Sequence, residues 1–157
     1  MLQMKKTMEP LVLWEDRFSI GIPLVDNQHK HLIELANELH FACRLDEASA
    51  RKQFGITVRE AVAYVKYHFS TEEQIMEKTA FPGLSDHKKQ HLEFIREVVK
   101  YVKAFESGKR FVPNLFLRFL LEWIMSHIAV YDSKLGGFIV ELQKTGKLGK
   151  ITMKAKT

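Results

Sequence analysis

Apolar residues in this chain recur in steps of three and four, the spacing that lines one face of an α-helix, and they do so in four separate stretches. The first stripe reads His29, Leu32, Ala36, Leu39, Cys43, and the second Phe54, Val58, Ala61, Val65, His68, Glu72, Ile75. The third reads Leu84, His87, His91, Ile95, Val98, Val102, Phe105, and the fourth Phe116, Leu120, Trp123, His127. Punctuation residues divide them, predicting helices over about 25–43, 48–78, 85–106 and 113–135. Asp26 and Ser85 are the candidate caps of the first and third helices, and Gly136-Gly137 the stop of the fourth. Short connections force successive helices antiparallel, so the expected fold is all-α, an up-down-up-down four-helix bundle. The predicted organisation is an N-terminal arm (1–22) folding back through Trp14, Phe18 and Ile20, a bundle domain (23–143), and a basic flexible tail (144–157).

Five histidines and a glutamate sit where apolar residues belong. A buried imidazole or carboxylate costs several kcal/mol unless it is paired, hydrogen-bonded or bound to metal. His68 with Glu72, and His87 with His91, are four residues apart, about 40° of rotation and about 6 Å of rise, which lets both side chains reach one centre. Asp132 lies five residues after His127, and a regular helix would turn it about 140° away. If one extra residue is absorbed, the stripe resumes as Asp132, Leu135, Ile139, Leu142, so the spacing predicts a π-bulge between Ile128 and Asp132. Seven such ligands are too many for one tetrahedral zinc. Two six-coordinate ions offer roughly twelve positions; five imidazoles, two bridging carboxylates and a bridging oxide or hydroxide fill all but about one. Nitrogen and oxygen donors with redox chemistry at an open position favour iron.

Composition narrows the picture further. The 157 residues, 46% hydrophobic, suffice for one core. Cys43 is the single cysteine, which excludes an internal disulfide and a thiolate cluster. The net charge of +5 is not arranged as a basic stripe with aromatics, so no nucleic-acid partner is expected; much of it sits in Lys144, Lys147, Lys150, Lys154 and Lys156. The longest apolar stretch, 111–130, is broken by Arg118, Glu122 and His127, and the N-terminus carries no long apolar core, so the expectation is a cytoplasmic protein without membrane insertion. His31 faces away from His29, His40 lies about 16 Å further along the axis, and Glu73 points about 100° from Glu72, solvated or backing a ligand. Met76 and Met125 fill core gaps.

The segments Val25-Asp26-Asn27-Gln28-His29, His68-Phe69-Ser70-Thr71-Glu72-Glu73, His87-Lys88-Lys89-Gln90-His91 and Trp123-Ile124-Met125-Ser126-His127, with Asp132, resemble the ligand pattern of the hemerythrin family, bacteriohemerythrins in particular. The resemblance spans roughly residues 14–135. It implies two iron ions bridged by oxide or hydroxide, without haem: one held by His87, His91 and His127, the other by His29 and His68, with Glu72 and Asp132 bridging. Dioxygen is the implied ligand, bound at the iron with two histidines, where the count of positions also leaves its opening. Apolar walls would keep water from driving off reduced oxygen, and Phe69, Trp123, Ile124 and Ile128 are the candidates, Ile124 foremost because it lies one turn before His127. The expected function is reversible dioxygen binding for storage, delivery or scavenging, without enzymatic turnover. The alternatives are an oxygen or redox sensor acting through an unknown protein partner, and a di-iron oxidase or peroxidase. Ferritin-type oxidases use Glu-x-x-His pairs, and this chain has none.

Overall fold

Each sequence stripe becomes the inner face of a helix in the computed structural model, which describes residues 9–108 and 113–148. A 3-10 turn (Asp16–Phe18) precedes α1 (Pro23–Ala42), α2 (Glu47–Lys78), α3 (Leu84–Glu106) and α4 (Pro113–His127). A π-helical turn (Ile128–Asp132) then leads without a break into α5 (Ser133–Lys144), so α4, the π turn and α5 are one rod, the fourth helix of the bundle. Helices α1 and α2, and α2 and α3, pack as neighbours, and α1 also lies against α4. The seam between α3 and α4 is filled by aromatic rings: Phe94 lies 4.0 Å from Trp123 and stacks on Phe119 at 5.5 Å, and Tyr101 meets Phe116 at 5.3 Å. The core runs the length of the bundle, from Phe54, Leu39 and Phe116 to Ile75, Leu135 and Ile139. Among the described residues, no helix is long and apolar enough to cross a membrane.

Three expected helix boundaries are corrected. Helix α1 opens on Pro23, whose missing N–H costs nothing there. Asp26 does not cap it; its buried carboxylate accepts from Ser19 Oγ (2.6 Å) and the Ile20 N–H (2.8 Å), tying the arm down. Helix α3 starts one residue before Ser85, because the Gly83 carbonyl already accepts from the His87 N–H at 3.0 Å and begins the ladder; no side chain caps it. The fourth rod does not stop at Leu135 but runs through Gly136-Gly137 to Lys144. A Cβ on Gly136 would lie 2.1 Å from the Ile20 carbonyl oxygen, so this glycine admits the arm's backbone instead of ending the helix. The real stop is Gly146, at φ +66°: its N–H bonds Gln143 O at 3.1 Å and the Lys147 N–H bonds Leu142 O at 3.0 Å, a Schellman closure.

Between residues 11 and 20 the chain lies against the bundle. Asn37 on α1 accepts from the Leu11 and Val12 N–H groups (2.8 and 3.0 Å) and donates to Val12 O (2.7 Å), while Phe18 and Ile20 are buried. Of the expected tail, Lys144 closes α5; Lys150, Lys154 and Lys156 lie outside the described residues, as do the first eight residues of the arm.

Candidate metal centre

All seven residues singled out on the stripes, His29, His68, Glu72, His87, His91, His127 and Asp132, are buried and converge midway between the four helices. Helix α1 contributes His29, α2 His68 and Glu72 one turn apart, α3 His87 and His91 one turn apart, and α4 His127. Asp132 joins them because the π turn absorbs one extra residue after His127, bringing the aspartate back to the inner face.

The contacts divide into two groups. Glu72 Oε2 lies 3.1 Å from His91 Nε2 and 3.5 Å from His87 Nε2, while Asp132 Oδ1 lies 3.1 Å from both His87 Nε2 and His127 Nε2. His127 Nε2 is 3.0 Å from His87 Nε2 and 3.2 Å from His91 Nε2. The opposite oxygens face the other way. Glu72 Oε1 is 3.5 Å from His68 Nε2 and 3.7 Å from His29 Nε2, and Asp132 Oδ2 is 3.0 Å from His29 Nε2. Each carboxylate therefore turns one oxygen to a three-histidine group and the other to a two-histidine group.

This donor set fits a pair of metal ions. Both oxygens of Glu72 and of Asp132, both ring nitrogens of His29 and Nδ1 of His87 are buried with no hydrogen-bond partner among the described residues. Leaving so many polar atoms unsatisfied would cost roughly 1–3 kcal/mol each. His29 Nε2 approaches Asp132 Oδ2 to 3.0 Å yet the two are not aligned as a hydrogen bond, as expected of lone pairs aimed at a common third point. Bonds of about 2.0–2.2 Å put neighbouring donors about 3.0 Å apart around an octahedral ion and about 3.4 Å apart around a tetrahedral one. The contacts in the cluster, 3.0 to 3.7 Å, span both spacings, so the donors stand at the separations that ligands of a bound ion take.

Electrostatics follow from burial and from the two carboxylates. Burial alone would raise both carboxyls; the surrounding imidazoles outweigh it and hold Glu72 and Asp132 below the usual carboxylate range. Burial also opposes a charged His29 or His87, but contacts with Asp132 and Glu72 override it, and with protons in place of metal both rings are raised to about 9. Burial prevails at His68, lowered to about 4, and lowers His127 as well.

Two outer contacts set which nitrogen faces the centre. His91 Nδ1 lies 3.0 Å from Glu73 Oε1; a carboxylate only accepts, so the proton sits on Nδ1 and Nε2 is free to ligate. His68 Nδ1 lies 2.9 Å from Gln28 Oε1, and the Gln28 amide nitrogen is engaged by Thr71 Oγ1 at 3.0 Å, which in turn donates to Tyr67 O. Glu73, expected to be solvated or to back a ligand, lies against His91 Nδ1 and is still 30% exposed. Gln28 was missed, because a glutamine beside a stripe carries no periodic signal.

Of the four wall candidates, Phe69 and Trp123 lie against histidine rings of the cluster: Phe69 stacks on His91 (3.7 Å, 5°) and Trp123 on His127 (4.2 Å, 15°), both on the three-histidine side, and Phe69 also meets His68 at 5.8 Å. Ile124 and Ile128 are buried in the core. His31 is on the surface beside Glu34, Met76 is buried in the core, and half-buried His40 rests near Phe41, away from the cluster.

Known proteins resemble the chain in sequence and in shape. Residues 20–139 match the family model of the hemerythrin HHE cation binding domain. A bacteriohemerythrin of Stenotrophomonas maltophilia (strain R551-3) is 33% identical over 148 residues, covering 89% of this chain and 94% of its own. One from Pseudomonas aeruginosa (strain LESB58) is 35% identical over 122 residues, covering 78% of this chain and 77% of its own. The crystal structure of a wild-type hemerythrin superposes with a TM-score of 0.76 at 26% identity, covering 82% of this chain and 98% of that one.

Proposed function

Because the chain belongs to the hemerythrin HHE cation-binding family, we propose that its cluster holds two iron ions and binds dioxygen reversibly. In this reading His87, His91 and His127 hold one ion, His29 and His68 the other, and Glu72 and Asp132 bridge them. The observation that carries it is the orientation of the two carboxylates, each with one oxygen toward each histidine group. Two iron ions joined by an oxide or hydroxide would lend two electrons to dioxygen and recover them on its release.

The chain's own residues do the rest. His29 and His68 supply fewer donors than the opposite group, so the opening for an exogenous ligand falls on their side. Gln28 locks the His68 ring with its proton on Nδ1, and Glu73 does the same for His91. The wall candidates Ile124, Ile128 and Phe69 are apolar and each under 5% exposed, shut off from bulk water. We assign Ile124 the contact with the bound gas and Phe69 and Ile128 the remaining screen, with Trp123 sealing the His127 side. A shell of five neutral imidazoles donates less charge than a carboxylate-rich one, which favours return of the electrons over cleavage of the O–O bond.

The test is a gas cycle on the reduced, iron-loaded protein, followed by visible absorption. A charge-transfer band that rises with dioxygen and vanishes on its removal supports carriage. One-way conversion to the ferric form would overturn it and point to sensing or catalysis.

A further inference from the structure

The two histidine groups are backed unequally. Glu73 lies outside the cluster, 30% exposed, and meets the far edge of buried His91 at 3.0 Å. Among the described residues, it is the one carboxylate beyond Glu72 and Asp132 that touches any of the five histidines. Behind His68 stands the neutral Gln28, and the Nδ1 atoms of His29 and His87 are buried without a hydrogen-bond partner. An imidazole that donates its N–H to a carboxylate carries more electron density on its other nitrogen and is the stronger ligand. Orientation alone does not require this charge, because the Phe69 ring already clamps His91 flat at 3.7 Å. Lys88 holds the arrangement from outside, 3.7 Å from Glu73 Oε2 and 2.6 Å from Glu77 Oε1.

Resting on the metal-pair reading above, we propose that Glu73 is a positioning residue acting through His91, and that its charge makes the three-histidine ion the more tightly held and more easily oxidised of the two. The two ions then differ for a reason beyond the number of their histidines. Glu73 reaches solvent through a cleft lined by Ser70, Gln74, Glu77 and Lys88, so the charged partner of His91 is open to outside influence.

Glu73→Gln tests this cleanly, because it keeps the side-chain length and an acceptor oxygen while removing the charge; Glu73→Ala removes both. Cobalt(II) titration of the iron-free protein, followed by visible absorption, reads affinity without redox chemistry. In both variants one of the two cobalt ions is expected to bind about 10–100-fold more weakly, with the other unchanged. In the iron-loaded protein, the potential of the first ferrous-to-ferric step is expected to rise in both. If Glu73→Gln behaves as wild type while only Glu73→Ala is impaired, the residue is a spacer and the proposal fails. Equal weakening of both cobalt ions also overturns it, since that signals general damage to the cluster. A wild-type chain taking up fewer than two cobalt ions would contradict the metal-pair reading itself.

Discussion

Single residues decide what the cluster does with protons. His29 and His87 are raised from 6.5 to about 9 when protons take the place of metal, because Asp132 and Glu72 outweigh the opposing effect of burial. A raised histidine stabilises the fold fully below its unfolded value and loses that contribution as pH climbs through its folded one. The iron-free protein should therefore lose stability between about pH 6.5 and 9 from these two groups. The same protons must leave when metal enters. At pH 7.5 metal uptake should release protons, and the apparent affinity should strengthen as pH rises toward 9. Calorimetric titration in buffers of different ionisation enthalpy measures this directly, and heats independent of the buffer would refute it. Six of the converging side chains were legible from the stripes alone, since a histidine or glutamate at an apolar position stands out against its neighbours. Gln28 was not legible: its role depends on which residue of α2 it faces, and no spacing within α1 carries that information.

At the scale of elements, the π turn connects sequence to site. With Asp132 five residues after His127, a regular helix would carry the aspartate away from the cluster, and the turn Ile128–Asp132 restores it. Val130, 46% exposed, lies within that turn. Deleting Val130 should convert the turn to regular α-helix and leave the aspartate four residues after His127, still on the inner face. The variant is expected to keep two metal ions per chain by elemental analysis; loss of one would show that the π geometry itself is required. The glycine pair that follows illustrates why helix ends were misread. Gly136-Gly137 looks like a stop in sequence, but Gly136 is there for the Ile20 backbone, a contact made by a segment more than a hundred residues away. Gly136→Ala should lower stability by about 1–3 kcal/mol through overpacking, measured by denaturant unfolding, whereas Gly137, with open space around its Cβ position, should tolerate alanine. Asp26 was misread as a cap for the same reason, because its partner is the arm and not its own helix.

At the scale of the whole molecule, four helices each bring a histidine to one level of the bundle. The arm is tied to α1 and α5 beside them, and aromatic rings fill the α3–α4 seam against the three-histidine side. The bundle architecture followed from periodicity and short connections; the pairing of particular rings did not, because aromatic contacts across helices leave no trace in the spacing along one helix. What unites the account is the claim that one cluster holds two ions, divided three histidines and two, joined by Glu72 and Asp132. The most direct measurement is anomalous diffraction at the iron edge from crystals of the iron-loaded protein. Two iron peaks are expected, one bonded to His87, His91 and His127 and the other to His29 and His68, with both carboxylates spanning them. A single peak, or a pair in which Asp132 binds neither ion, would contradict it.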